Sequence, residues 1–119
     1  MPWLRSLPAD VLVILIGTND AVLKLDRAQA LANVGAIANT WPEARLVLVA
    51  PPYWDAAAAP WLAAWASDLR ALAAARGARF VDAYTASRSD WLCHPTDHHP
   101  CEAAHREIGA MVRAAAFAP

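Results

Sequence analysis

The sequence predicts an α/β fold: a parallel sheet of about three strands with helices packed on its faces. Two kinds of segment carry that prediction. Short apolar runs without alternation, DVLVILIG and RLVLVA, have the character of strands buried on both sides, as the strands of parallel sheets are. Between them lie longer stretches with apolar residues every three or four positions, the spacing of one helix face. The two kinds alternate as β-α-β-α-β-loop-α, and right-handed crossovers make all three strands parallel.

The elements follow in order. Residues 10–17, DVLVILIG, form the first strand and end at a glycine. From Asp26, DRAQALANVGAIANT is helical, with Asp26 as N-cap and Leu31, Val34 and Ile37 on one face. Trp41-Pro42 ends this helix. Residues 45–50, RLVLVA, are the second strand, stopped by Pro51-Pro52. Residues 60–77 begin with Pro at the first helical position and close with Gly77, and their apolar stripe is Leu62, Trp65, Leu69 and Leu72. Residues 78–83, ARFVDA, make a third short strand. After a loop, residues 102–116 form the last helix, with Ala104, Ile108, Met111, Val112 and Ala115 facing inward.

Composition narrows the function classes. At 119 residues the chain is a single domain, residues 1–119. A net charge of −1 with scattered basic residues gives neither a nucleic-acid footprint nor a basic membrane patch. The longest apolar run is too short to span a bilayer, and PWLRSLPAD after Met1 lacks the organisation of an export signal. Both cysteines and all four histidines fall between residues 93 and 105.

In a parallel sheet, function gathers at the carboxyl ends of the strands. Here those ends are GTND after the first strand, PPYWD after the second, and the cysteine–histidine loop after the third. The loop admits three readings. As a metal site it would draw on Cys93, His94, Asp97, His98, His99 and Cys101, although adjacent ligands point apart and no paired zinc spacing occurs. As a disulfide, Cys93 and Cys101 would close a loop stiffened by Pro95 and Pro100, which implies an exported parent protein; two free thiols are the alternative. As a catalytic loop, it offers a histidine with a carboxylate two positions away, a general base held in one tautomer. GTND adds Asn19, whose amide is a donor suited to an oxyanion, or else Asn19 and Asp20 cap a turn.

Together VLVILIGTND and HPCEAAHREIGAMV resemble two sequence blocks of the SGNH hydrolases, the GDSL-type lipases and esterases. In that family a buried strand ends in G-x-N-D. A catalytic His-Pro is followed six residues on by a second His and an apolar helix. The spacing selects His99-Pro100 with His105, since His94-Pro95 has no such partner. The resemblance implies a flavodoxin-like sheet, of strand order 2-1-3-4-5, with this chain supplying the last three strands. It also implies His99 as general base, Asn19 and Gly17 in the oxyanion hole, and a carboxylic ester of a small molecule or glycan as substrate. No cofactor is called for. Tyr53, Trp54 and Trp91, with Pro51 and Pro52, would line the substrate pocket, and His105 would pack or cap the helix. The family places its aspartate three residues before the histidine, where this chain has Thr96; Asp97 is taken as the orienting carboxylate, with Asp90 as fallback.

The nucleophile is the main departure. The family carries it in a G-D-S block well upstream of G-x-N-D, and here GTND starts at Gly17. The serines, Ser6, Ser67, Ser87 and Ser89, stand in neither a G-D-S nor a G-x-S-x-G context. The expectation is therefore a domain truncated on its N-terminal side, an incomplete or inactive esterase by itself. The alternatives are a non-catalytic interaction module of the same fold and a small metal-binding domain. Truncation would also leave the first strand as an exposed apolar edge, which predicts self-association or binding of a complementary fragment.

Overall fold

The computed structural model describes residues 7–52, 56–92 and 99–119. Tyr53, Trp54, Cys93, His94, Asp97 and His98 lie outside the described residues, as does Ser6. The chain runs β1 (Val11–Leu15), α1 (Thr18–Val22), α2 (Arg27–Thr40), β2 (Arg45–Ala50), α3 (Ala59–Arg76), β3 (Arg79–Asp82), α4 (Ala83–Ala86), a 3-10 turn (Ser89–Trp91) and α5 (Glu102–Phe117). The three strands form one parallel sheet in the order β1-β2-β3. The expected α/β architecture is the observed one.

β2 is central because both of its faces are buried. Leu48 and Ala50 join Ile14, Val34, Trp65 and Leu69 in the core against α2 and α3. Val47 and Val49 point the other way, with Val81, Trp91, Ala104 and Ile108, into the core under α5. Alternation along a strand sends successive side chains to opposite faces, so a six-residue strand serves two cores. Each large apolar side chain buried there contributes roughly 1.5–3 kcal/mol.

α2 buries a different stripe from the one its larger residues suggest. Ala30, Val34 and Ala38 face the core, while Leu31 is partly buried and Ile37 exposed. Small side chains let α2 lie close to α3, and polar clamps fix the pair: Arg27 meets Asp68 at 2.5 Å, and Arg76 donates to Asn39 Oδ1 at 2.9 Å. Asp26 caps α2 as its position predicts, accepting from the Ala28 and Gln29 amides. α3 and α5 bury the stripes read from sequence, and Gly77 ends α3 in the left-handed conformation. Arg45 and Arg79, the first residues of β2 and β3, donate to main-chain carbonyls at the C-terminal end: Arg45 to Ala116, Arg79 to Ala118 and Pro119.

β1 is covered unevenly on its two faces. Ile14 is buried against α2 and α3. Val13 and Leu15 lie in register with Val47 and Val49, on the side that α5 covers for β2 and β3, yet they are 43% and 41% exposed. α5 packs mainly on β2 and β3, and Val11 at the start of β1 packs against the core beneath it. Among the described residues, no strand pairs with the outer edge of β1.

The strand ends two residues earlier than its apolar run. The Ile16 carbonyl accepts the Trp65 indole N–H at 2.9 Å, and Gly17 follows with φ 121°. Only glycine takes that backbone angle without strain, and a Cβ there would sit 2.8 Å from Trp65 Cδ1. Gly17→Ala is expected to cost about 2–5 kcal/mol, through strain and overpacking, and Trp65→Phe about 1–2 kcal/mol. Urea denaturation of both single variants and of the double variant checks this; the double should be less destabilised than the sum, because removing the indole nitrogen relieves the clash.

Candidate functional site

Parallel pairing brings the three strand ends to one edge. Leu15 pairs with Val49, and Ala50 with Asp82. Just beyond them stand Gly17 and α1, the buried Pro51-Pro52, and α4.

On the β1 side, GTND is a helical turn rather than a loop. Gly17 is the N-cap of α1 and its carbonyl accepts the Ala21 amide at 2.9 Å. Asn19 is exposed in the first turn, and Ala21 is buried against Ala58 and Leu62. Two indoles of α3 bracket the segment. Trp65 holds Ile16 on the near side, and Trp61 donates to the Leu25 carbonyl at 2.9 Å on the far side. Asn19 is thus carried on backbone fixed at both ends by a single helix.

On the β3 side, Asp82 caps α4, accepting from the Thr85 amide at 2.9 Å and its hydroxyl at 2.6 Å. The chain then reaches Trp91, which is 2% exposed and fills the core under α5. That is a core position, with little surface to offer a substrate. Its indole N–H donates to Glu107 Oε2 at 3.0 Å, and Glu107 Oε1 accepts from Arg88 at 2.5 Å. Arg88 also donates to both Asp90 oxygens, at 3.0 and 3.3 Å. Hydrogen bonds to Asp90 first and Glu107 second raise the Arg88 pKa, which keeps the guanidinium charged.

The His99 loop closes at its base. Leu92 and Pro100 form an antiparallel bridge, and the Cys101 amide donates to the Trp91 carbonyl at 2.6 Å. Cys101 is disulfide-bonded and stands at the N-cap of α5. Its expected partner Cys93 lies outside the described residues, as does Asp97, the expected orienting carboxylate. His99 is exposed, one residue before the bridge, and His105 is exposed on α5. Asp90, the fallback carboxylate, already has both oxygens on Arg88. Of the six side chains in the metal alternative, only His99 and Cys101 are described, and a disulfide sulfur is not a thiolate ligand.

Sequence reading missed Glu107, Arg88 and the clamping roles of Trp61 and Trp65. A periodic apolar stripe flags Trp65 as core but says nothing of where its N–H points. A groove of about 250 Å³, lined in part by Trp41, Arg45, Arg76 and Gly77, lies at the opposite end of the sheet, where β2 and β3 begin. It is remote from the strand ends that carry Asn19 and lead to His99.

The family model for the GDSL-like lipase/acylhydrolase family matches residues 1–107. The chain belongs to that family. No curated protein and no solved structure matches it. The match runs from before β1 into α5, so it takes in both the GTND turn and the His99 loop of this family member. Among the described residues no helix is long and apolar enough to cross a membrane.

Reduction of the disulfide under native conditions is expected to lower the unfolding free energy by about 2.5 kcal/mol, the chain-entropy value for so short a loop. Urea melts with and without reductant measure it.

Proposed function

We propose that these residues form the base and oxyanion portion of a serine ester hydrolase. His99 takes the proton of a nucleophilic serine and returns it to the leaving alcohol; Asp97 holds the imidazole in one tautomer and stabilises its charged form. The Asn19 amide and the Gly17 N–H receive the tetrahedral oxyanion, where preorganised donors matter most. Tyr53 and Trp54 line the acyl or alcohol pocket, and the substrate is a carboxylic ester of a small molecule or glycan. What supports this reading is the family match across residues 1–107, with the Gly17–Asn19 turn and the His99 loop following strands that end at one sheet edge.

The nucleophile comes from another segment in this proposal. Ser67 lies in α3, Ser89 is exposed in the 3-10 turn, and the Ser87 hydroxyl donates to the Ala83 carbonyl at 2.8 Å. Without a paired serine, turnover should fall on the order of 10⁶ below a complete triad. Fluorophosphonate labelling with peptide mapping is expected to give no stoichiometric adduct on the folded chain, and an adduct on Ser87 or Ser89 would redraw the triad. The residual hydrolysis of p-nitrophenyl acetate should fall in His99→Gln and stay unchanged in His105→Gln. An unchanged rate in His99→Gln would remove His99 from its role.

A second reading concerns partners. Val13 and Leu15 are exposed on an edge strand that carries no charge, with Ile16 exposed just past its end, a form that natural sheets blunt with lysine or proline. We infer that this edge is covered in solution, by a second copy or by a complementary fragment. Light scattering across a micromolar dilution series should show concentration-dependent mass, abolished by Val13→Lys. A thermostable monomer at every concentration would rule it out.

A further inference from the structure

We propose that Glu107, on the second turn of α5, is a positioning residue for His99. The inference rests on His99 being the base, and it names what holds that base in place. Glu107 divides its carboxylate between two partners on the incoming limb of the loop: Oε2 accepts the Trp91 indole N–H at 3.0 Å, and Oε1 accepts Arg88 at 2.5 Å. Arg88 in turn grips Asp90 and lies over the Trp91 ring, 5.9 Å from its centroid. A buried indole with an engaged N–H has one orientation available to it.

Trp91 transmits that orientation through its backbone. Its carbonyl accepts the Cys101 amide at 2.6 Å, and the next residue, Leu92, bridges to Pro100. His99 immediately precedes Pro100, so the outgoing limb that presents the imidazole is registered against a strand segment whose own position Glu107 sets. The same helix carries Cys101 at its N-cap and Glu107 six residues later, which makes the clamp a closed circuit: helix to carboxylate, carboxylate to indole, indole backbone to the start of the helix. Charge-assisted hydrogen bonds are the stronger kind, and one acceptor serving two donors ties them together. Glu102 offers the contrast. It sits on the first turn of the same helix and pairs with Arg106 at 2.5 Å, with both side chains mostly exposed and no tie to the loop among the described residues.

The test uses the folded, oxidised chain and needs no turnover. Amide hydrogen exchange reads the Cys101–Trp91 bond, and imidazole nitrogen–proton correlation spectra on labelled protein read the His99 ring. Glu107→Leu is expected to speed Cys101 exchange about tenfold or more and to change the His99 ring pattern, while the Val47, Leu48 and Val49 core amides exchange as before. Glu107→Gln, which retains an acceptor for the indole, should restore both readouts close to the parent. Glu102→Gln should move neither. The proposal is overturned if Glu107→Leu leaves His99 and Cys101 unchanged, if Glu107→Gln is as disruptive as Glu107→Leu, or if the β2 amides accelerate equally, since the carboxylate would then serve only the fold. Failure of the ester-hydrolase reading would show in the rates of His99→Gln and leave these exchange and ring signals untouched.

Discussion

The contact between Trp65 and the backbone at Ile16–Gly17 is the constraint on which the site depends. It does three things in one place. It withdraws the Ile16 carbonyl from strand pairing, it admits only glycine at the next position, and it turns the chain into α1. The indole is itself fully buried between β2 and α2, so its position is set by the core rather than by the turn. The Gly17–Asn19 turn is thereby referenced to the core packed against α2 and α3. The equivalent on the other limb is Trp91, also buried, which refers the His99 loop to the core under α5. Each limb of the site thus takes its position from one tryptophan in one of the two cores.

That division follows from the central strand. β2 sends alternate residues to each core, so the two limbs are separated by a single layer of backbone, and among the described residues the two cores share no side chain. The layer is complete at β2 and incomplete at β1, where Val11 is covered but Val13 and Leu15 are exposed and, among the described residues, the edge lacks a strand. The turn bearing Asn19 is therefore anchored inward, through Trp61 and Trp65, and open outward. Its partner limb has covering on both sides, from α5 and from the closed loop base.

Much of the architecture was legible in the sequence. Strand and helix order, the Asp26 cap, the Gly77 stop and the β2 boundaries follow from run length, caps and breakers, each a local property. The buried face of α2 was not legible, because Ala30 and Ala38 are chosen by closeness to α3 and not by hydrophobicity. The end of β1 was two residues off for a similar reason: Ile16 looks like strand until a residue 49 positions away takes its carbonyl. At the site, GTND and His99-Pro100 stood out by spacing. Glu107 and Arg88 did not, since a glutamate and an arginine 19 positions apart carry no signal until the loop folds back on the helix. Trp91 was assigned to a pocket from its neighbourhood in sequence, and the structure places its ring in the core under α5.

The tryptophan pair on α3 has an optical consequence. Trp61 and Trp65 lie with ring centroids 5.4 Å apart and planes inclined by 35°, close enough for their electronic transitions to couple. Each also holds a carbonyl at one end of the segment between Ile16 and Leu25. Both indole N–H groups hold that segment, so the coupled part of the near-ultraviolet dichroism that this pair contributes is sensitive to how the turn is seated. A chromophore of this kind, native to the chain, reports on the Gly17–Asn19 limb without any label being placed near it.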